Sequence, residues 1–227
     1  MLVVIENVLS SAEVAEFCAS LRAAPWVDGQ VTAGTLSAHV KRNEQVDDRA
    51  EAARSLGSRL IERLGHHPRF VSAALPERFH PPRFNRYRGG QTYGTHVDAA
   101  VMAMPGADRL LRADVSATLF LSDPADYDGG ELVVEGEYGV QEVKLAAGDL
   151  IVYPSGSLHR VAPVTRGERL AAFLWVQSLV ADASSRALLF DLDQAIQALS
   201  RTHAPDDPAL LRLTAVYHNL VRRWAQP

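Results

Sequence analysis

The sequence predicts a mainly β domain, a sandwich or barrel, with helices flanking it at both ends (α+β overall). Three observations carry this. Between about residues 83 and 179, seven short runs rich in Val, Leu, Phe and Tyr succeed one another: Arg83–Arg88, His96–Ala99, Asp114–Leu121, Glu131–Glu135, Val140–Leu145, Asp149–Tyr153 and Arg169–Leu179. Gly and Pro punctuate them, with Gly89-Gly90, Gly129-Gly130 and Gly148-Asp149 at natural turn positions. Outside this region, apolar residues recur at helical spacing instead.

Taken in order, Leu2 to Ile5 reads as a short strand. Ser10 and Glu13 form a capping box ahead of Val14, Phe17, Cys18 and Leu21, the inner face of a first helix. A second helix is expected from near Asp47, with Ala53, Leu56, Leu60, Ile61 and Leu64 along one face, ending where Gly65 can take the left-handed cap conformation. His66-His67 then read as a solvated helix-end cap and His80, beside Pro81-Pro82, as a loop residue. The stretch Met102–Asp108, around Pro105-Gly106, is long enough for a mobile loop or lid.

After Val180 two helices close the chain. The first follows Asp182 and carries Leu188, Leu189, Leu192, Ile196 and Leu199; the second has Asp207 as cap and Pro208 at its first position. The apolar residues of that last helix, Leu210, Leu211, Thr214, Tyr217, Leu220, Val221 and Trp224, cover a broad face that suits packing on the barrel or a homodimer through the C-terminal helices. The expected division is a core domain with its N-terminal helices over residues 1–180 and a C-terminal helical module over 181–227.

Composition narrows the function. A chain of 227 residues with 47% hydrophobic content can bury one good core. Its net charge is −4 and its arginines are scattered among acids, so no nucleic-acid partner is expected. Met1 to Ile5 is apolar but is followed by Glu6 and lacks a basic leader. With no long apolar run elsewhere, no membrane partner and a cytoplasmic location are expected. Cys18 is the only cysteine, which excludes an intramolecular disulfide and fits a reducing compartment.

The chemistry concentrates in His96-x-Asp98, answered by His159 and then by Arg169. On a strand, a spacing of two puts both side chains on one face, roughly 6.6 Å apart along the chain. His159 follows the run Leu150–Tyr153 and a Pro154-Ser155-Gly156 turn, where a strand can fold back to meet them. Two imidazoles and a carboxylate on one side of an octahedral ion suit ferrous iron and leave positions for substrate and oxygen. Arg169 opens the apolar run Leu170–Val176, and an inward guanidinium there needs an anion, for which a cosubstrate carboxylate is a planar bidentate partner. Its ordinary alternative is an ion pair with Glu168 or Asp149. Asn85 and Tyr87 share a strand face, from which the Tyr87 phenol can add a hydrogen bond to the same diacid. In the alternating stretch Ala38–Gln45, His39, Lys41 and Asn43 fall on one face and are candidate substrate residues.

Asn85-Arg86-Tyr87 through Gly94-Thr95-His96-Val97-Asp98, Tyr127–Leu132, Gly148-Asp149, Pro154-Ser155, His159 and Arg169 together resemble the bacterial PKHD-type hydroxylases. These are ferrous iron and 2-oxoglutarate-dependent dioxygenases related to prolyl 4-hydroxylases, and the similarity spans the whole chain. The resemblance implies a double-stranded β-helix, or jelly-roll, core. It implies His96, Asp98 and His159 as iron ligands and Arg169 on the distal carboxylate of 2-oxoglutarate. Further implied are O2 as the second cosubstrate, L-ascorbate (vitamin C) as reductant, and release of succinate and CO2 as a small-molecule or peptidyl substrate is hydroxylated. Some relatives are encoded near iron-uptake functions, which implies a link to iron or siderophore metabolism. Arg42 and Glu44 depart from the family pattern, so the substrate stays open. Asp98 favours hydroxylation, because a halogenating relative needs a small residue there. The residues alone leave a cupin-type metalloenzyme that does not use 2-oxoglutarate, a zinc hydrolase and a non-catalytic iron or 2-oxoglutarate sensor as alternatives.

Overall fold

The computed structural model describes residues 1–32, 34, 38–106, 108–136 and 139–227. An eight-stranded sheet runs in the spatial order Val3–Ile5, Leu150–Pro154, Val115–Phe120, Glu168–Ser178, Arg83–Arg88, Glu44–Val46, Trp26–Asp28, and Pro76–Phe79 adds to the C-terminal end of Glu168–Ser178. A five-stranded sheet runs Gly139–Val143, Leu132–Gly136, His159–Val161, Thr92–His96, Lys41–Arg42. Every pairing in both is antiparallel.

Period-2 alternation in the central strands gives the large sheet two buried faces. Val115, Ala117 and Leu119, with Leu170, Ala172, Leu174 and Val176, face outward into the main core. There they meet Val14, Phe17 and Leu21 of helix Ser11–Arg22, Leu56, Leu60 and Leu64 of helix Glu51–Gly65, and Phe70 of helix Pro68–Ala74. The opposite face turns toward the small sheet. Phe120, Ile151 and Tyr153 of the one pack with Leu132, Val134, Val143 and Val161 of the other, forming the second core. Two antiparallel sheets closed face to face are what a jelly roll requires.

Of the seven expected strands Arg83–Arg88 has the bounds expected and the other six have shifted ends, and one shift matters. The run placed at His96–Ala99 is the strand Thr92–His96, so Asp98 lies beyond the sheet. Pairing stops there because His96 stands opposite His159, the first residue of its own strand. The second helix begins at Glu51, not near Asp47, whose carboxylate caps a turn by accepting from Arg49 N–H at 2.9 Å. It also runs through Gly65 without a left-handed cap, since His67 N–H closes onto Leu64 O at 3.1 Å and a helix follows at once. That helix, Pro68–Ala74, was not expected, although Pro68 at its first turn is a usual sign; His67, an uncommon N-cap, accepts from Phe70 N–H at 3.4 Å. The expected loop Met102–Asp108 holds part of a two-stranded ribbon, Val101–Ala103 with Leu110–Arg112; Ala107 lies outside the described residues.

The last two helices, Ala183–Leu199 and Pro208–Trp224, begin at the caps Asp182 and Asp207 as their sequences indicate. Tyr217, Leu220, Val221 and Trp224 pack on Leu75, Val180 and Leu189, so much of the broad apolar face is used within the chain; Leu211 and Val216 stay exposed. Among the described residues no helix is long and apolar enough to cross a membrane.

Candidate metal centre and anion pocket

His96 and His159 face each other as cross-strand partners, with ring centroids 4.2 Å apart. Each contacts a backbone carbonyl two residues earlier through Nδ1, His96 with Gly94 O at 2.8 Å and His159 with Ser157 O at 3.0 Å. A proton held on Nδ1 leaves Nε2 of both rings as the free donor. Asp98 reaches back from outside the sheet to place Oδ2 3.8 Å from His159 Nε2. Donor atoms from all three residues lie within 4.8 Å of one another.

Neighbours hold this set in place. Ser116 Oγ donates to Asp98 Oδ2 at 2.6 Å and lies 2.8 Å from Ser155 Oγ. Tyr93 stacks on His96 at 3.6 Å between centroids, and Tyr153 meets His159 edge-on. Burial first, then the adjacent His159, pushes the His96 imidazole down to about 4. It is therefore neutral at pH 7, the form that binds a metal.

Arg169 lies in the same cavity. Its register partner is Tyr87, and its guanidinium sits over the rings of Tyr87 and Phe120 at 5.5 and 5.1 Å. Only 1% of the residue is exposed and its Nε has no hydrogen-bond partner. Among the described residues no carboxylate lies within ion-pair distance. Both alternative partners are occupied elsewhere: Asp149 accepts from Asn7 N–H at 2.8 Å, and Glu168 lies 3.9 Å from Arg86. Burial pushes the Tyr87 phenol up to about 12, so it remains a hydrogen-bond donor at neutral pH.

The cavity holding these groups measures about 1010 Å³ and also takes in Lys41, His80, Arg83, Met102, Phe173 and Trp175. Of the three candidate substrate residues, only Lys41 lines it. His39 is exposed in the turn preceding the strand, because the extended backbone starts only at Lys41. Asn43 is buried but packs behind the wall against Gly29, next to Tyr87, with no well-formed hydrogen bond to its amide. Ser116, Tyr93 and His80 were not singled out from the sequence. Ser116 had a readable signal, as a polar residue alternating with apolar ones in a buried strand. His80 is 4% exposed and meets the edge of Trp175, although it does sit in a loop.

Comparison with known proteins supplies the family context. A profile described as "2OG-Fe(II) oxygenase superfamily" matches residues 82–177, and one described as "PKHD-type hydroxylase C-terminal domain" matches residues 183–226. A PKHD-type hydroxylase of Acidovorax ebreus (strain TPSY) is 59% identical over 227 residues, covering 100% of both chains. Another, of Teredinibacter turnerae, is 59% identical over 226 residues with the same coverage. Among solved structures, a Pseudomonas putida prolyl-4-hydroxylase superposes with a TM-score of 0.55 at 24% identity, over 78% of this chain and 92% of its own. At that identity the likeness speaks for the jelly-roll fold alone.

Proposed function

The chain belongs to the PKHD-type hydroxylases of the 2OG-Fe(II) oxygenase superfamily, and on that premise we propose that His96, Asp98 and His159 hold one ferrous ion while Arg169 holds the far carboxylate of 2-oxoglutarate. The donor set fits: two imidazoles and one carboxylate, convergent and oriented by hydrogen bonds from behind. Bound there, iron would let O2 act as the oxidant, taking two electrons from 2-oxoglutarate, which leaves as succinate and CO2 with one oxygen atom, and two from a substrate C–H bond, which becomes C–OH with the other.

The protein's own part is positioning and exclusion of water. Arg169 gives a planar fork for one carboxylate, and Tyr87 adds a phenolic donor beside it. Ser116 and Ser155 fix the Asp98 carboxylate. The wall of Phe173, Trp175 and Met102 keeps the chamber apolar, and its volume leaves room for a substrate beside a five-carbon diacid, which favours turnover over sensing. L-ascorbate enters only as an external reductant, with no binding residue assigned to it.

The observation that carries this reading is the buried Arg169 guanidinium with an orphaned Nε and, among the described residues, no carboxylate within ion-pair distance. Calorimetric titration of iron-loaded protein with 2-oxoglutarate under nitrogen tests it. Removing one partner of a buried charge pair costs about 2–5 kcal/mol, so Arg169→Met should weaken 2-oxoglutarate at least about thirtyfold and leave iron affinity alone. Equal affinity in both proteins contradicts the assignment.

A further inference from the structure

A second cation is buried in the cavity, and the cosubstrate does not account for it. Lys41 opens the strand Lys41–Arg42 with its side chain inward and is 3% exposed. Its Nζ donates to Thr32 Oγ1 at 2.9 Å, and the Thr32 hydroxyl is in turn bonded to Gln45 Oε1. An ammonium carries three donors. Among the described residues no carboxylate lies within ion-pair distance of this one. Arg83, the other cation lining the cavity away from Arg169, is already paired with Asp48 at 3.1 Å.

Place and surroundings define what Lys41 can hold. Its Nζ stands 5.2 Å from the centre of the Tyr93 ring, and Tyr93 stacks on His96, so the charge lies one ring away from the metal centre. Its Nζ is also 6.0 Å from the centre of the Phe173 ring, which packs with Trp175 and Met102 in the lining of the same cavity. Val40, Val97 and Leu158, all more than 40% exposed, edge the mouth of the same cavity. In the proposed function, one carboxylate of 2-oxoglutarate goes to Arg169 and the other to the metal, leaving none for Lys41.

We propose that Lys41 binds a carboxylate of the hydroxylation substrate, and that the substrate is an organic acid with an apolar body lying along Phe173, Trp175 and Met102. The Thr32–Gln45 pair orients the ammonium. Burial also holds the Lys41 ammonium down to about 8, and a bound carboxylate would offset that desolvation.

This inference rests on the iron and 2-oxoglutarate reading, so uptake of both by the wild-type protein is measured first. Failure there shows itself before any probe is added and overturns both. The loaded protein, under nitrogen and with saturating 2-oxoglutarate, is then titrated calorimetrically with 3-phenylpropionate and with the isosteric 3-phenylpropionamide. The acid should bind at least tenfold more tightly than the amide. Lys41→Met, which keeps the aliphatic stem, should abolish that preference while changing 2-oxoglutarate affinity less than twofold. Thr32→Val should reduce the preference without abolishing it. Equal binding of the two probes by the wild type overturns the proposal. So does an acid preference that survives Lys41→Met, which would put the acid on the metal. A matching loss of 2-oxoglutarate affinity in Lys41→Met overturns it too, because Lys41 would then serve the cosubstrate.

Discussion

Asp98 lies outside the sheet and its carboxylate accepts from the Ser116 hydroxyl, so the proposed metal centre should be sensitive to Ser116. Loss of such a supporting hydrogen bond typically lowers metal affinity about 10–100-fold. Ser116→Ala should therefore weaken ferrous iron by that factor in a competition assay with a chelator, with little change in melting temperature of the metal-free protein. That His96, Asp98 and His159 converge, with Arg169 in the same cavity, was legible in the sequence, because these are residue types with few other reasons to appear together in strand-rich sequence. The geometric route to them was only partly right: His96 and Asp98 do not share a strand, and Asp98 converges by leaving the sheet. Ser116 bonds Asp98 and Tyr93 stacks on His96 without joining the donor cluster, so no chelate spacing marks them. His39 failed as a candidate because strand parity applies only where the backbone is extended, and at residue 39 it turns.

Among the elements, the turn ending at Gly130 controls the anion pocket. Gly130 has φ +70°, and a Cβ there would stand 2.9 Å from both Arg169 Cδ and Val164 Cγ2. A left-handed non-glycine residue costs about 1–2 kcal/mol before any clash. Gly130→Ala should thus lower the melting temperature by roughly 2–8 °C and weaken 2-oxoglutarate, whereas Gly156→Ala, where added volume meets open space and φ is unexceptional, should do neither. At the first helix the reciprocal bonds of Ser10 and Glu13 form as the sequence indicates, and Ser10→Ala should cost about 1 kcal/mol in urea unfolding. The bonds from Ser10, its backbone N–H foremost, hold the Glu13 carboxyl down to about 2, from 4.5. A depressed carboxylate stabilises above its unfolded value and loses that contribution as pH falls, so the gap between wild type and Glu13→Ala should be full above about pH 5 and should close toward pH 2. The N-caps Ser10, Asp182 and Asp207 were legible because they are local chemistry, whereas the end expected at Gly65 was not, because a second helix follows at once. The ribbon Val101–Ala103 with Leu110–Arg112 was not, because only Met102 and Leu111 of its central pair face the core, too few to show a period.

At the scale of the molecule, the C-terminal helices are tied to the site they do not touch. Arg186 is 4% exposed; its guanidinium donates to Val180 O and Ala181 O, both at 2.7 Å, and to Asp114 O at 3.2 Å. Asp114 O also accepts from Ser155 N–H, and Asp114 leads directly into the strand that carries Ser116. Hydrogen bonds to a charged group are worth about 1.5–3 kcal/mol each, so Arg186→Met should destabilise the whole chain by about 3 kcal/mol in urea unfolding and should weaken iron binding as well. Nothing in the sequence of either segment showed this link, since a backbone carbonyl as partner leaves no residue-type signal. The strand-rich core was legible because short apolar runs between Gly and Pro turns mark its strands, whereas the order of the strands is set by long-range pairing that no single stretch encodes.

In the proposed function His96, Asp98, His159 and Arg169 together hold one ion and one diacid. The most direct test of this is an anaerobic titration of the protein with ferrous iron and 2-oxoglutarate, following the visible charge-transfer band of a 2-oxo acid chelated to ferrous iron. The band should appear with one equivalent of iron in the wild type, be absent in His159→Ala, and require at least about thirtyfold more 2-oxoglutarate in Arg169→Met. Folded wild-type protein that shows no band, or an Arg169→Met titration that overlays the wild type, would contradict it.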